Sequence, residues 1–334
     1  MLRPMILSGD IGGTKADLAV FARNHGSLKV LRSERVPIEG HASLEDLLER
    51  FLARGPDTRS IDSAAFGIAG PVLNNRVVGT NLPWTVEADR VARAIGVPRV
   101  VLINDLEATT LGLEALDPSD VVTLQEGVPD PHGSIAVIAV GTGLGESFAT
   151  RESGRLLPRA SEGGHADFAP NSEDEVDLLV YLRSRFGGHV SWERVLSGPG
   201  LENVYEFLRD TGRAAEPAWL VETRAAGDPH AAITAADGKA ELATRTVDLF
   251  VSVYGALAGN LALQYMATGG VYVAGGIAPK IRARFEDGRF TAAFRAKGRL
   301  APLLRDVPVR LILNERTALL GAALLASRQA GPAA

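Results

Sequence analysis

Apolar and polar positions change period several times along the chain, and the changes mark its elements. Met5–Ser8 and Ala16–Ala22 are apolar runs of strand length. Between them lies Ile11-Gly12-Gly13-Thr14, so the stretch predicts a hairpin closed by a glycine turn. Lys29–Val36 adds a third strand. Ser43 then caps a helix through Arg54, with Leu44, Leu47, Leu48 and Phe51 at helical spacing. Ala64–Ile68 predicts a buried strand and Val86–Ile95 a helix. Val100–Ile103 predicts a strand running into Asn104-Asp105, and Thr109–Leu116 a further helix. This is mixed α/β with a hairpin, not an all-parallel alternation.

The pattern begins afresh near residue 117. Ser134–Val140 is strongly apolar, Gly141-Thr142-Gly143-Leu144-Gly145 is a glycine turn, and Ser147–Thr150 continues as a strand. The two starts, MILSGDIGGTKADLAVF and IAVIAVGTGLGESFATR, share the order strand, glycine-rich turn, strand, an internal similarity. Two halves facing each other with such hairpins would form an interdomain cleft. The remainder predicts helices over Ser172–Arg185 and from Pro199 to Leu208, and a long amphipathic segment over Gly238–Ala267. Strands at Gly270–Ala274 and Pro308–Leu313 and a terminal helix over Thr317–Ser327 complete the pattern. Asp210–Asp237 reads as loops and short helices, and Gly331–Ala334 as a frayed tail.

Composition narrows the function. The chain has 334 residues, 46% hydrophobic and 22% charged, enough for a large core and, at about 150 residues per domain, for two domains. It has no cysteine, which excludes thiolate chemistry, disulfides and cysteine zinc sites. The net charge of −5 is a poor balance for gripping nucleic acid. A small anion held by backbone amides needs no such balance. No run of eighteen uninterrupted apolar residues predicts a membrane span, and the N-terminal apolar stretch is too short for a signal peptide, so a cytoplasmic protein is expected. The 36 glycines are in excess, and they cluster between apolar runs where backbone must approach something closely.

Six segments carry candidate chemistry. In Asp10-Ile11-Gly12-Gly13-Thr14 a strand delivers an acid and the glycines open backbone N–H groups to an oxyanion; Thr14 adds a hydroxyl. Asp10 would repel a phosphate, so its useful role is to organise Mg²⁺, through water; a plain β-turn is the alternative. Gly141, Thr142 and Gly143 offer the same physics, or a tight hairpin alone. Asp105, at a strand end, is placed to accept a hydroxyl proton, with Asn104 holding a neighbouring hydroxyl. The alternative there is a helix N-cap. Glu162 and His165, three apart across two glycines, can bind vicinal hydroxyls from both sides; a structural pair and a metal site are the alternatives. Glu193 by itself reads as a surface or ion-paired acid. Gly275 and Gly276, between a strand and a helix start, suit a nucleotide face. No direct metal-ligand set is assigned.

In this order, the six segments resemble bacterial glucokinase, the ATP-dependent hexokinase-like branch of the actin-like ATPase superfamily. The most specific pieces are SEGGHADFAPNS at 161–172 and ERVLSGPGLENVY at 193–205. The resemblance runs from Gly9 to about Ala326. It implies two ribonuclease-H-like lobes flanking a central cleft, a small α/β lobe from 1–115 plus 314–330 and a large one from 116–313 with helical insertions. It implies ATP and Mg²⁺, transfer to the 6-hydroxyl of D-glucose, and a homodimer. It makes Asp105 the general base and Asn104, Glu162, His165 and Glu193 the sugar ligands. The two glycine turns, with Asp10, become phosphate loops, and Gly275-Gly276 the adenosine side. A kinase for mannose, fructose or an N-acetylhexosamine, or a sugar-sensing protein without turnover, is the alternative. The chain departs from the pattern at Lys15 and Asp17, where the family commonly carries Asn and Arg. Asp17 sets a negative charge beside a phosphate loop unless it points outward or pairs with Lys15. With no cysteine, the chain resembles the zinc-free glucokinases, and without an N-terminal helix-turn-helix it is not expected to act as a sugar-responsive repressor.

Overall fold

The structure, a computed structural model, describes residues 5–24, 27–54, 61–78 and 82–330. The expected frayed tail at 331–334 lies outside the described residues. Contacts divide the chain into two units: residues 1–119, 152–160 and 314–334 in the first, and 120–151 and 161–313 in the second. The division differs from the expected lobes chiefly at residues 152–160, the far end of the second hairpin, which group with the first unit.

The first unit opens with β1 (Met5–Ile11), β2 (Lys15–Asn24) and β3 (Ser27–Pro37), then α1 (Leu44–Leu52) and β4 (Ile61–Ile68). A small hairpin sheet follows, β5 (Val72–Leu73), β6 (Arg76–Val78) and β7 (Thr85–Glu87), then α2 (Ala88–Ile95), β8 (Val100–Asn104) and α3 (Asp105–Gly112). The main sheet has the order β3-β2-β1-β4-β8. Its antiparallel hairpin pairs β1 with β2, and β4 and β8 continue it in parallel. The Ser43 hydroxyl accepts from the Asp46 amide at 3.2 Å and starts α1 as its sequence predicts.

Two local readings are corrected. The stretch Val86–Ile95, expected as one helix, is divided: Val86 pairs with Val77 in the small sheet and the helix begins at Ala88. Asn74 and Asn75, at φ 53° and 58°, make the two-residue turn that a tight hairpin requires, a signal the reading passed over. The helix expected from Thr109 begins instead at Asp105, because Asn104 caps it directly off the strand.

Next along the chain come β9 (Val121–Gln125), β10 (Ile135–Val140), β11 (Leu144–Glu152) and β12 (Arg155–Ser161). Helices α4 (Glu173–Phe186), α5 (Gly198–Asp210), α6 (Ala218–Ala226), α7 (Pro229–Ala235) and α8 (Glu241–Gln264) lead to β13 (Gly270–Ala274). After α9 (Arg282–Glu286), α10 (Arg289–Arg295) and α11 (Ala301–Asp306) comes β14 (Val309–Ile312). The sheet order is β12-β11-β10-β13-β14-β9. It repeats the plan of the first: a central hairpin, β10 with β11, extended in parallel by β13 and β14. The internal similarity of the two starts is therefore a repeat of ribonuclease-H-like topology, with β9 added antiparallel at one edge.

Helix α8 is long and apolar enough to cross a membrane, yet 72% of its most apolar stretch is buried inside the protein. Phe250 and Tyr254 on it, fully enclosed, pack with Phe285 and Phe290, so its apolarity belongs to a core.

The last helix, α12 (Thr317–Gln329), returns to the first unit. Leu319, Ala322, Ala323 and Ala326 cover Ile6, Phe21 and Ala65 on one face of its sheet. It crosses α3 with backbone nearly touching backbone: a Cβ at Gly112 would overlap the Thr317 carbonyl, and one at Gly321 the Ala108 carbonyl.

Candidate active site

In the first unit the strand ends bring the chemistry together. Register places Asp10 beside Gly67 and Ile68 beside Asn104, so β1, β4 and β8 finish at one edge of the sheet. A Cβ at Gly67 would stand 3.0 Å from Ala108 Cβ and 3.6 Å from Asp105 Cα; glycine there lets the start of α3 tuck against β4. Asp105 is the first residue of α3 and is partly buried, its Oδ1 accepting from the Leu106 amide at 2.9 Å.

Asn104 is the N-cap of that helix. Its Oδ1 accepts from the amides of Leu106 and Glu107 at 2.9 and 3.3 Å, and its Nδ2 donates to the Gly70 carbonyl at 3.1 Å. Glu107 closes a capping box by accepting from the Asn104 amide at 3.4 Å. The cap reading of Asn104 thus holds, and both lone pairs of its oxygen are taken. One Nδ2 proton remains for any other acceptor.

Asp10 feels its neighbours. Burial first, then the Asp105 and Asp17 carboxylates, push its carboxyl up from the ordinary 3.8 to about 7; Lys15 and Arg35 oppose the shift. Asp10 stands opposite Asp17 in the β1–β2 register, and Asp17 opposite Arg35 in the β2–β3 register. The Arg35 Nε donates to Asp17 Oδ1 at 2.8 Å. The charge at Asp17 is therefore answered by Arg35 from the next strand and not by Lys15, because directly opposed strand positions lie closest. In the first turn the Gly12 amide donates to the Lys15 carbonyl at 3.0 Å. Gly13 and Thr14 are exposed and line a hollow of about 370 Å³ with Ile38, His41 and Trp84.

In the second unit the segments around Glu193 and Gly275 close on the Gly141–Gly145 turn. Glu193 is not a surface acid: its Oε2 accepts from the Leu144 amide at 2.9 Å, and a Cβ at Gly143 would come within 2.6 Å of the same oxygen. The Gly198 amide, at the start of α5, donates to the Gly141 carbonyl at 2.8 Å. The Ile277 amide donates to the Val140 carbonyl at 3.3 Å, and Gly275, at φ 89°, lies against the Val140 backbone where a Cβ would overlap it. These contacts hold the turn in place, but they also use some of it. The Gly141 amide donates within the turn and the Leu144 amide serves Glu193, which leaves Thr142 and Gly143 as the residues placed for an anion. Gly276 has open space where its side chain would be.

Gly163–His165 is a single 3₁₀ turn, closed by the His165 amide donating to the Glu162 carbonyl at 3.0 Å. It sets His165 Nε2 and Glu162 Oε2 3.9 Å apart, both side chains more than half exposed. Its two glycines are required by β11 beneath them: a Cβ at Gly164 would overlap the Leu144 carbonyl, and one at Gly163 the Glu146 carboxylate. Among the described residues no group of three His, Asp or Glu is placed to hold a metal ion. Asp10, at the end of β1 beside the first glycine turn, suits a divalent cation that keeps most of its waters.

The sequence reading missed Glu146. It is 3% exposed, with no hydrogen-bond partner at Oε1, and burial alone pushes its carboxyl from 4.5 to about 7. The signal was available: Glu146 takes an inward position of β11, on the same face as Leu144.

Comparison with known proteins covers the same residues. A family model described as Glucokinase matches residues 7–329. A glucokinase of Nostoc sp. is 42% identical over 339 residues, spanning 97% of this chain and 99% of that protein. Among solved structures, a glucokinase from an Antarctic psychrotroph superposes with a TM-score of 0.81 at 28% identity, covering 97% of this chain and 99% of the other. A ROK family glucokinase from Streptomyces griseus, in complex with glucose and AMPPNP, shares the fold at a TM-score of 0.65 and 22% identity, covering 97% and 99%. Whole-length agreement of sequence and fold, over an edge of strand ends and a clamped glycine turn, makes this chain a member of the glucokinase family of glucose-phosphorylating enzymes.

Proposed function

We propose that this enzyme transfers the γ-phosphoryl group of ATP to the 6-hydroxyl of D-glucose, with Asp105 as general base. The observation that carries the assignment is the pairing of Asp105 with Asp10 at the edge of the first sheet. Burial, and after it the Asp105 carboxylate, raises the Asp10 carboxyl to about 7, and glycine at Gly67 lets the start of α3 lie against β4 beside Asp10. Asp105 stands at a helix start, with one oxygen accepting from the Leu106 amide. It takes the proton from O6 as the O6–phosphorus bond forms and the bond to the β,γ-bridging oxygen breaks, leaving ADP.

Glucose is recognised by hydroxyl contacts from Asn104, Glu162, His165 and Glu193. Glu162 and His165 are near enough to share one pair of vicinal hydroxyls, the carboxylate accepting and the imidazole donating. Asn104 contributes its remaining Nδ2 proton. The phosphates are assigned to Gly12, Gly13 and Thr14 in one turn and Gly141, Thr142 and Gly143 in the other, and the adenosine to Gly275 and Gly276. Mg²⁺, held by Asp10 through water, would neutralise charge on the transferring group. The relatives named glucokinase and the neighbour bound to glucose and AMPPNP support the choice of substrates. The reading extends to a homodimer in the cytoplasm.

The test is glucose-dependent ADP formation by the purified protein. Asp105→Ala should lower kcat by at least about a hundredfold while glucose binds within a few fold. Glu162→Gln should chiefly raise the glucose KM. A near-normal kcat in Asp105→Ala removes the base from this position.

A further inference from the structure

Glu146 is a buried acid that the mechanism leaves unused. It lies on β11, two residues past the glycine turn's Leu144, and its carboxylate presses into the hollow left where Gly163 has no side chain. The far side of the same turn is fastened differently. The Gly163 amide donates to Ser161 Oγ at 3.0 Å, and the Tyr265 hydroxyl donates to that oxygen at 3.4 Å. Tyr265 is itself stacked on Phe148, ring centroids 4.2 Å apart. The turn thus sits between a Ser161–Tyr265 tie and the Glu146 carboxyl. An aliphatic side chain would fill such a hollow without desolvating a polar group; a carboxyl with an orphaned oxygen is costly there.

We propose that Glu146 is a positioning residue for hexose binding: its carboxyl beneath Gly163 fixes the height of the Gly163–His165 turn, and so the aim of Glu162 and His165 at the sugar. The proposal rests on the reading of Glu162 and His165 as sugar ligands. It requires the carboxyl to be uncharged while it packs against the turn, and burial, which raises its proton affinity, favours that state. Ionisation at higher pH would draw water toward the carboxylate and lift the turn. The other titratable groups here are Glu162 and His165 on the turn, Glu193 over the glycine turn and Tyr265 beyond Ser161, with Arg151 and Glu152 at the exposed end of β11 and exposed Arg155 and Arg159 on β12. Both proteins keep the imidazole of the same turn, so the pH effect is read as the difference between the wild type and Glu146→Gln.

The experiment measures glucose KM, ATP KM and kcat for the full-length wild type, Glu146→Ala, Glu146→Gln and Glu162→Gln, from pH 6.5 to 8.5. Glu146→Ala should raise the glucose KM about tenfold or more, with kcat and ATP KM within about twofold. Glu146→Gln, a neutral isostere, should restore glucose KM to within about threefold and show a smaller rise with pH than the wild type. A glucose KM within about twofold of wild type in Glu146→Ala overturns the proposal. So do superimposable pH profiles for wild type and Glu146→Gln, and that comparison decides alone if Glu146→Ala does not fold. An unchanged glucose KM in Glu162→Gln overturns instead the sugar-ligand reading beneath it. A raised KM in Glu162→Gln beside an unchanged one in Glu146→Ala sinks only the role of Glu146.

Discussion

Asp10 and Glu146 both carry carboxyls raised to about 7, and their linkage to stability runs opposite to that of an ion-paired surface acid. The folded protein holds a proton that the unfolded chain has already released, so between the ordinary carboxyl range and about pH 7 folding takes up protons. Stability from these groups is therefore present at low pH and falls as pH rises through that window. Glu146→Gln removes one of the two contributions. Its stability relative to wild type, measured by urea unfolding without ligands, should grow by on the order of 3 kcal/mol from pH 4 to pH 8. A difference that stays constant with pH would mean the carboxyl is not held protonated by the fold.

Elements, more than single side chains, aim the proposed general base. Asp105 begins α3, and α3 is gripped by α12 through the glycine crossing at Gly112 and Gly321. Gly321→Ala would drive a methyl group into the Ala108 carbonyl. The helices must separate, at a cost of about 1–3 kcal/mol by analogy with overpacked cores. Because Asp105 rides on the displaced helix, kcat should fall about tenfold or more while glucose KM changes little. Melting temperature and steady-state kinetics on the same preparation check both parts; a stable variant with normal kcat would show that α12 does not govern the position of α3.

For the molecule as a whole, the notable fact is that the first unit is built from both ends of the chain. Ile6, Phe21 and Ala65 find their cover in Leu319, Ala322, Ala323 and Ala326, more than 250 residues away. A chain ending at Leu313 would leave that face of the sheet in water. It should lose kinase activity entirely and bind a hydrophobic dye, while protease-resistant fragments should map within residues 161–313, all of which belong to the second unit. Persistent activity in that truncation would contradict the role given to α12.

The sequence alone determined the strand–turn–strand starts, the two-unit organisation, the capped helix at Ser43 and the segments that carry chemistry. Each is local: a period, a cap or a glycine pair is complete within a dozen residues, and the resemblance rests on short motifs. Tertiary structure decided what those residues touch. Asn104 became a cap whose oxygen is already engaged, Glu193 a partner of the Leu144 amide, and Arg35 the answer to Asp17. Glu146, legible only as a charge on an inward strand position, gained meaning from Gly163 above it. Hydrogen-bond partners and burial depend on residues far apart in the chain, and no local pattern of hydrophobic and polar positions encodes which of them will meet.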